Sequence, residues 1–287
     1  MGGALLLMLS PKEIVNNYAS IAKYKTSLPW HKTLILAILA GIFIGLGALV
    51  STIATATNGS RLIMGLVFPV GLIMVTLFGA ELFTGNCLMI SPLISKEIKP
   101  SGFFKNLSIV YVGNFIGSLL LAVLIVYGGV LNASTTVSAI SVAQMKATMP
   151  FLDSFVKGIL CNILVCLAVL GSTVSKTTVG KFAAIFVPIF TFVVAGFEHS
   201  VANMYYLSVG LLAGVKVGEA TFTVADALVN SLIPSTLGNV IGGFSIALVL
   251  HFVYKTTQKS ISSQKVEATA VNVENSEVTA DETNRRH

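Results

Sequence analysis

The sequence predicts an all-α membrane protein with six transmembrane helices, arranged as an aquaporin-like inverted repeat of three plus three with the second and fifth helices broken. Three observations carry this expectation. The 287-residue chain is 54% hydrophobic and only 10% charged, with a mean hydropathy of +0.86, whereas a soluble domain carries about 25% charged residues. Its apolar residues fall into six segments, roughly 33–57, 62–94, 104–131, 154–173, 182–210 and 231–254. Inside the second and fifth lie two polar stretches, Gly79-Ala-Glu-Leu-Phe-Thr-Gly-Asn86 and Ala195-Gly-Phe-Glu-His-Ser-Val-Ala-Asn203.

Crossing a bilayer takes about 20 residues of helix. The first, third, fourth and sixth segments fit that length, and the second and fifth are too long unless they break at the polar stretches. Ionisable groups at membrane depth cost about 2.5 to 3.5 kcal/mol on insertion scales, so Glu81, Glu198 and His199 are expected to have a use. Irregular backbone there survives only when it is buried in protein or lines a cavity.

From the N-terminus, Met1 to Leu9 is apolar but lacks a basic region and a small-residue cleavage site, so it is not expected to be a cleaved signal. Ser10-Pro11-Lys12-Glu13 reads as a helix start, with Ser as cap, Pro at the first position and Glu at the third. Ile14, Val15, Tyr18 and Ile21 then share one face. The helix lies either on the membrane surface or packed on the protein's own face. The chain divides into this N-terminal segment (1–32), a first three-helix repeat (33–131), a connecting loop (132–153), a second repeat (154–254) and a disordered cytoplasmic tail (255–287), which has no aromatic residue or leucine from Thr256 on.

The repeat shows in shared spacing. Glu81-x4-Asn86 recurs as Glu198-x4-Asn203, an offset of 117 (198 − 81), and each Glu has Gly two residues before it. Gly41-Ile42 meets Gly158-Ile159 at the same offset, and Gly113-Asn-Phe-Ile-Gly117 matches Gly238-Asn-Val-Ile-Gly242. Three spans per copy is an odd number, so the copies must run in opposite senses, with broken helices meeting near the midplane. Gly41/Gly45, Gly113/Gly117, Gly210/Gly214 and Gly238/Gly242 read as small-residue pairs for close helix packing. Asn114, Asn162 and Asn239 are polar within spans and serve either as interhelical glue or as pore-lining donors.

Assigning the termini and the 95–105 and 174–181 loops to one side places fourteen Lys and Arg there, against Arg61, Lys146, Lys157 and Lys216 on the other. Both termini are therefore expected in the cytoplasm and the protein in the inner (plasma) membrane. The net charge of +6 is spread over loops, so no nucleic-acid partner is expected. Cys87, Cys161 and Cys166 lie in apolar runs and read as small buried hydrophobes. His199 has no second histidine three or four residues away, so no metal, cofactor or enzymatic activity is expected. His31 and His251 fall at span ends and read as interfacial.

Four ordered motifs carry a family resemblance: Glu81-Leu-Phe-Thr-Gly-Asn86, Asn162-Ile-Leu-Val-Cys-Leu-Ala168, Gly196-Phe-Glu-His-Ser-Val-Ala-Asn-Met204 and Leu232-Ile-Pro-Ser-Thr-Leu-Gly-Asn-Val-Ile-Gly-Gly243. Over about residues 10 to 254 the chain resembles the formate/nitrite transporter family. The resemblance implies a homopentamer in the lipid bilayer, with one pore per protomer passing small monovalent anions such as formate, nitrite or hydrosulfide. It implies a central histidine, His199, bonded to Thr84. A cytoplasmic constriction of Leu82, Phe83, Leu72 and Phe68 follows, as does a further constriction residue, Phe192. Asn162 and Asn239 correspond to pore-side asparagines, and Lys146 to a vestibule base that attracts the anion. Gly85-Asn86 leans toward the hydrosulfide and nitrite branches. Glu81 and Glu198 are expected to cap the half-helices or bond backbone N–H groups. The alternative is an aquaporin-type channel for small neutral solutes; its Asn-Pro-Ala pairs are absent, since no Asn precedes a Pro.

Overall fold

In the computed structural model, which describes residues 10–256, the chain is helical with no strand among those residues. Met1 to Leu9 and the tail beyond Thr256, with the signal and disorder readings made for them, lie outside the described residues. Helix α1 (Pro11–Ser27) starts as its sequence dictates: Ser10 Oγ accepts from the Glu13 N–H, and the Glu13 carboxylate accepts from the Ser10 N–H. Those bonds hold the Glu13 carboxyl below the usual glutamate range. Tyr18, Ala19 and Ala22 are buried, and the Tyr18 O–H donates to the Gly85 carbonyl at 3.0 Å. Helix α1 packs on the protein through this face.

Helix α2 (Trp30–Asn58) is continuous. The second predicted segment is not. It divides into α3 (Arg61–Val67), α4 (Val70–Leu77), an irregular stretch, α5 (Phe83–Asn86), a 3-10 turn and α6 (Ile90–Ile94). Gly79 at φ +65° reverses the chain after α4, a conformation that favours glycine. Helix α7 (Pro100–Tyr127) follows. The expected connecting loop over 132–153 instead holds helix α8 (Ala133–Ala147), whose Asn132 cap accepts from the Thr135 N–H at 2.9 Å. Its Ser/Thr content lowers its hydropathy, yet Ala139, Val142, Ala143 and Ala147 form a buried face.

Helices α9 (Phe151–Val174) and α10 (Thr178–Ala195) lead to the second break, and α11 (Ser200–Val217) leaves it. Helix α11 runs past the predicted limit at 210 to Gly218, whose φ of +77° ends it. A short α12 (Val224–Asp226), a π-helical turn, α13 (Ile233–Leu250) and a final π turn complete the described chain. By length and composition five helices can cross a membrane: Trp30–Thr57, Pro100–Tyr127, Phe151–Val174, Thr178–Ala195 and Val224–Lys255. Six were expected; the breaks leave Arg61–Leu77 and Phe83–Ile94 too short to count separately.

The broadest contacts are α2 with α7 and α9 with α13. The small-residue pairs make them possible. A Cβ added at Gly117 would sit 2.0 Å from the Ile38 carbonyl oxygen, and one at Gly242 2.2 Å from that of Ile159. Backbone cannot yield as a side chain can, so Gly117→Val and Gly242→Val should each destabilise by about 1–3 kcal/mol or more, as overpacking does. Loss of folded protein in detergent, read by size-exclusion and thermal unfolding, checks this. The three cysteines are free and buried, as expected. His251 is 8% exposed, and its Nδ1 lies 3.1 Å from Ser91 Oγ. Exposed His31 lies edge-on to Trp30.

Candidate functional site

The two breaks are built with the same bonds. At the first, the Glu81 N–H donates to Leu36 O at 3.2 Å; at the second, the Glu198 N–H donates to Lys157 O at 3.3 Å. Asn114 donates to Ala37 O and Glu81 O at 2.8 and 2.9 Å and accepts from the Phe83 N–H at 2.9 Å. Asn239 donates to Gly158 O and Glu198 O at 2.8 and 2.9 Å and accepts from the Ser200 N–H at 2.8 Å. Each asparagine thus satisfies two backbone groups that the interrupted helix would leave unpaired in a buried place, and ties them to a carbonyl of a neighbouring continuous helix.

The glutamates depart from expectation. Neither caps a helix. Glu81 accepts from Lys25 at 2.7 Å, Asn86 at 2.7 Å and Asn106 at 3.5 Å. Glu198 accepts from Lys146 at 2.8 and 2.9 Å and from Asn203 at 2.7 Å. The donors are side chains because the first N–H of each half-helix is already bonded by an asparagine. Both carboxylates are buried and each is paired with a lysine, which is how a charge survives without water.

Between the breaks stands the one polar contact among the described residues that joins them through side chains: Thr84 Oγ1 and His199 Nε2, 2.9 Å apart. His199 is the cap of α11, and its Nδ1 accepts from the Ala202 N–H at 3.1 Å. With Nδ1 accepting, the neutral ring carries its proton on Nε2 and points it at Thr84. The position that matches His199 at the 117-residue offset is Leu82, the cap position of α5. One break therefore presents imidazole, the other an isobutyl group.

Two cavities flank this contact. One of about 230 Å³ is lined by Tyr18, Lys25, Leu72, Glu81, Leu82 and Gly85, among others. The other, of about 140 Å³, is lined by Phe68, Lys146, Phe192, Glu198 and His199, with further residues. Thr84 is fully buried and lines neither. Phe192 stacks on His199 with centroids 6.0 Å apart and meets Phe68 edge-on at 5.6 Å.

Several expected placements change. Phe68 belongs to the α8-side cavity with Phe192, not to one ring with Leu72 and Leu82, because it lies one helical turn before Leu72 along Arg61–Leu77. Phe83 lines neither cavity; it packs on Tyr111 at 4.8 Å. Asn162 also lines neither, being fully buried and donating to Thr84 O and Asn239 O at 3.2 and 2.6 Å. Asn239 holds backbone. Asn86 donates to Glu81 as Asn203 donates to Glu198. Sequence reasoning missed Lys25, Tyr18 and Asn106. The signal available for Lys25 was that a buried Glu81 needs a cation.

A profile described as "Formate/nitrite transporter" matches residues 12–253. A probable formate transporter of Methanothermobacter thermautotrophicus is 34% identical, over 85% of this chain and 96% of its own length. The formate channel FocA of Haemophilus influenzae is 34% identical, over 82% and 90%. A solved structure titled "FNT family ion channel" superposes with a TM-score of 0.75 at 29% identity, covering 85% of this chain and 98% of its own. Another, titled "Pentameric formate channel with formate bound", gives 0.70 at 29% identity over 79% and 98%. With the match running through both breaks and every helix that holds them, the chain belongs to the formate/nitrite transporter family, a family of multi-pass membrane channels and transporters.

Proposed function

We propose that each protomer passes a small monovalent anion of the formate, nitrite and hydrosulfide class between the two cavities, through a centre made by His199 and Thr84. The observation that supports this most is the 2.9 Å Thr84–His199 contact placed where two broken helices meet, with apolar side chains beside it. A bare anion among Leu72, Leu82, Phe68 and Phe192 would be very costly, and its neutral conjugate acid would not. An arriving anion replaces Thr84 Oγ1 as acceptor of the His199 Nε2–H. Since Nδ1 already accepts from Ala202, the neutral ring serves as a donor and not as a lender of protons; the proton that neutralises the cargo comes from water.

In this reading Arg61–Ile94 is one broken span and α10 with α11 another, which makes six spans in two inverted copies. The basic-residue count places both termini in the cytoplasm, so the α1-side cavity faces inward. Assembly as a homopentamer follows the solved relative described as pentameric.

Uptake of formate, nitrite, hydrosulfide and glycerol into proteoliposomes between about pH 5 and 8, the range in which histidine changes charge, tests the proposal. Removing a hydrogen bond to a charged group costs about 1.5–3 kcal/mol, so His199→Ala should slow anion uptake about tenfold or more. His199→Gln, which keeps a donor, should lose less. Unchanged anion uptake and pH profile in His199→Ala would remove the histidine from the mechanism. Glycerol uptake without anion uptake would replace the proposal with a neutral-solute channel.

A further inference from the structure

The α8-side cavity holds more positive charge than its central lysine supplies. Lys146 reaches both oxygens of Glu198, at 2.8 and 2.9 Å, so the pair presents almost no net charge to a distant anion. Glu198 is the only carboxylate among the residues lining that cavity, but two further cations line it, Arg61 and Lys157. Neither takes part in an ion pair among the described residues. The Lys157 ammonium lies 3.8 Å from the Met149 sulfur, a weak acceptor.

Both residues adjoin the break that carries His199. Arg61 begins α3, and its Nη1 lies 3.4 Å from where a Cβ on Gly196 would stand, so the guanidinium rests against the Gly196 turn. Lys157 accepts the Glu198 N–H on its backbone carbonyl at 3.3 Å. The Arg61 guanidinium thus sits at the first residue of the break, and the backbone of Lys157 is bonded to its third. The α1-side cavity has no such pair. Its charged lining residues are Lys25 and Glu81, bonded to each other at 2.7 Å. Among the lining residues, the charges cancel on one side, and on the other two cations stand without an ion pair.

We propose that Arg61 and Lys157 form the anion-capture site of the α8-side cavity and that Lys146, held by Glu198, is a structural charge. This rests on the anion-channel reading and adds which residues attract the cargo and from which side. Charges at a cleft mouth raise the local concentration of an oppositely charged solute and its arrival rate by about 10- to 10³-fold, an effect that salt removes. The screening length is about 30 Å at 0.01 M and about 3 Å at 1 M ionic strength. Capture by this pair therefore belongs to low salt and to one face of the protein.

The test is initial formate and nitrite uptake, at low substrate, into vesicles of neutral lipid carrying the channel with its α8 side outward. Ionic strength is varied with sodium gluconate. Arg61→Gln/Lys157→Gln should lower uptake about tenfold at about 0.01 M and less than about twofold at about 1 M. A double variant with the salt dependence of the unaltered channel would overturn the proposal. If that variant is impaired at every salt concentration, the charge-conserving Arg61→Lys/Lys157→Arg decides: wild-type salt dependence supports capture by charge, and loss of it overturns capture. An unaltered channel that passes neither anion at any ionic strength would sink the anion-channel reading itself, a result distinct from failure of the capture site.

Discussion

Lys146→Met is expected to destabilise the protein by about 3–5 kcal/mol, the usual cost of leaving a buried charge without its partner. The Lys146 and Glu198 side chains are only 10% and 4% exposed, so water cannot take the lysine's place. Asn203 remains as a donor to Glu198, but an amide does not neutralise a carboxylate. Lys146→Met/Glu198→Gln should recover most of the loss, because the neutral amide can still accept from Asn203. Thermal unfolding of the purified protein in detergent separates the cases. If the single variant unfolds at the wild-type temperature, the pair carries no structural charge. Lys25→Met should cost less, since Glu81 keeps two asparagine donors and the Lys25 side chain is 16% exposed.

Asn239→Leu is expected to be as severe. Leucine has the same branching as asparagine but is larger, so overpacking at this fully buried position adds to the loss of bonds. Ser200 N and Glu198 O would each lose a partner in a buried place, and the tie to Gly158 O in α9 would go. Each buried unsatisfied group costs about 1–3 kcal/mol, so a total of at least about 2 kcal/mol is expected. The break would also lose the bond that fixes the start of α11, two residues before the N–H that His199 caps. Asn114→Leu should behave alike at the first break. Intact assembly by size-exclusion together with wild-type uptake in either variant would show that the breaks hold without these clamps.

The fold was legible where a short-range pattern sufficed. Runs of apolar residues located the spans, Ser10-x-x-Glu13 located the start of α1, and Gly-x3-Gly located the close contacts of α2 with α7 and α9 with α13. The repeated Glu-x4-Asn located both breaks, because a charge at membrane depth stands out against an apolar background. Helix α8 was not legible: a Ser/Thr-rich amphipathic helix has neither high hydropathy nor loop punctuation. Among site residues, the Thr84–His199 contact came only through the family resemblance.

The sequence by itself determined that this is an all-helical membrane protein with two polar interruptions in related settings, because hydropathy and spacing are properties of the chain alone. It also determined that Glu81 and Glu198 need partners, because a buried carboxylate is unstable without them. Only the tertiary structure decided which partners. Lys25 lies 56 residues before Glu81 and Lys146 lies 52 before Glu198, separations that no local pattern encodes. The same holds for the asparagines. Their amides satisfy backbone from two other elements at once, which makes them clamps of the breaks and not linings of a pore. A residue's type is fixed in the sequence, but the face it turns toward a cavity depends on helices distant in the chain, and those are brought together only when the molecule folds.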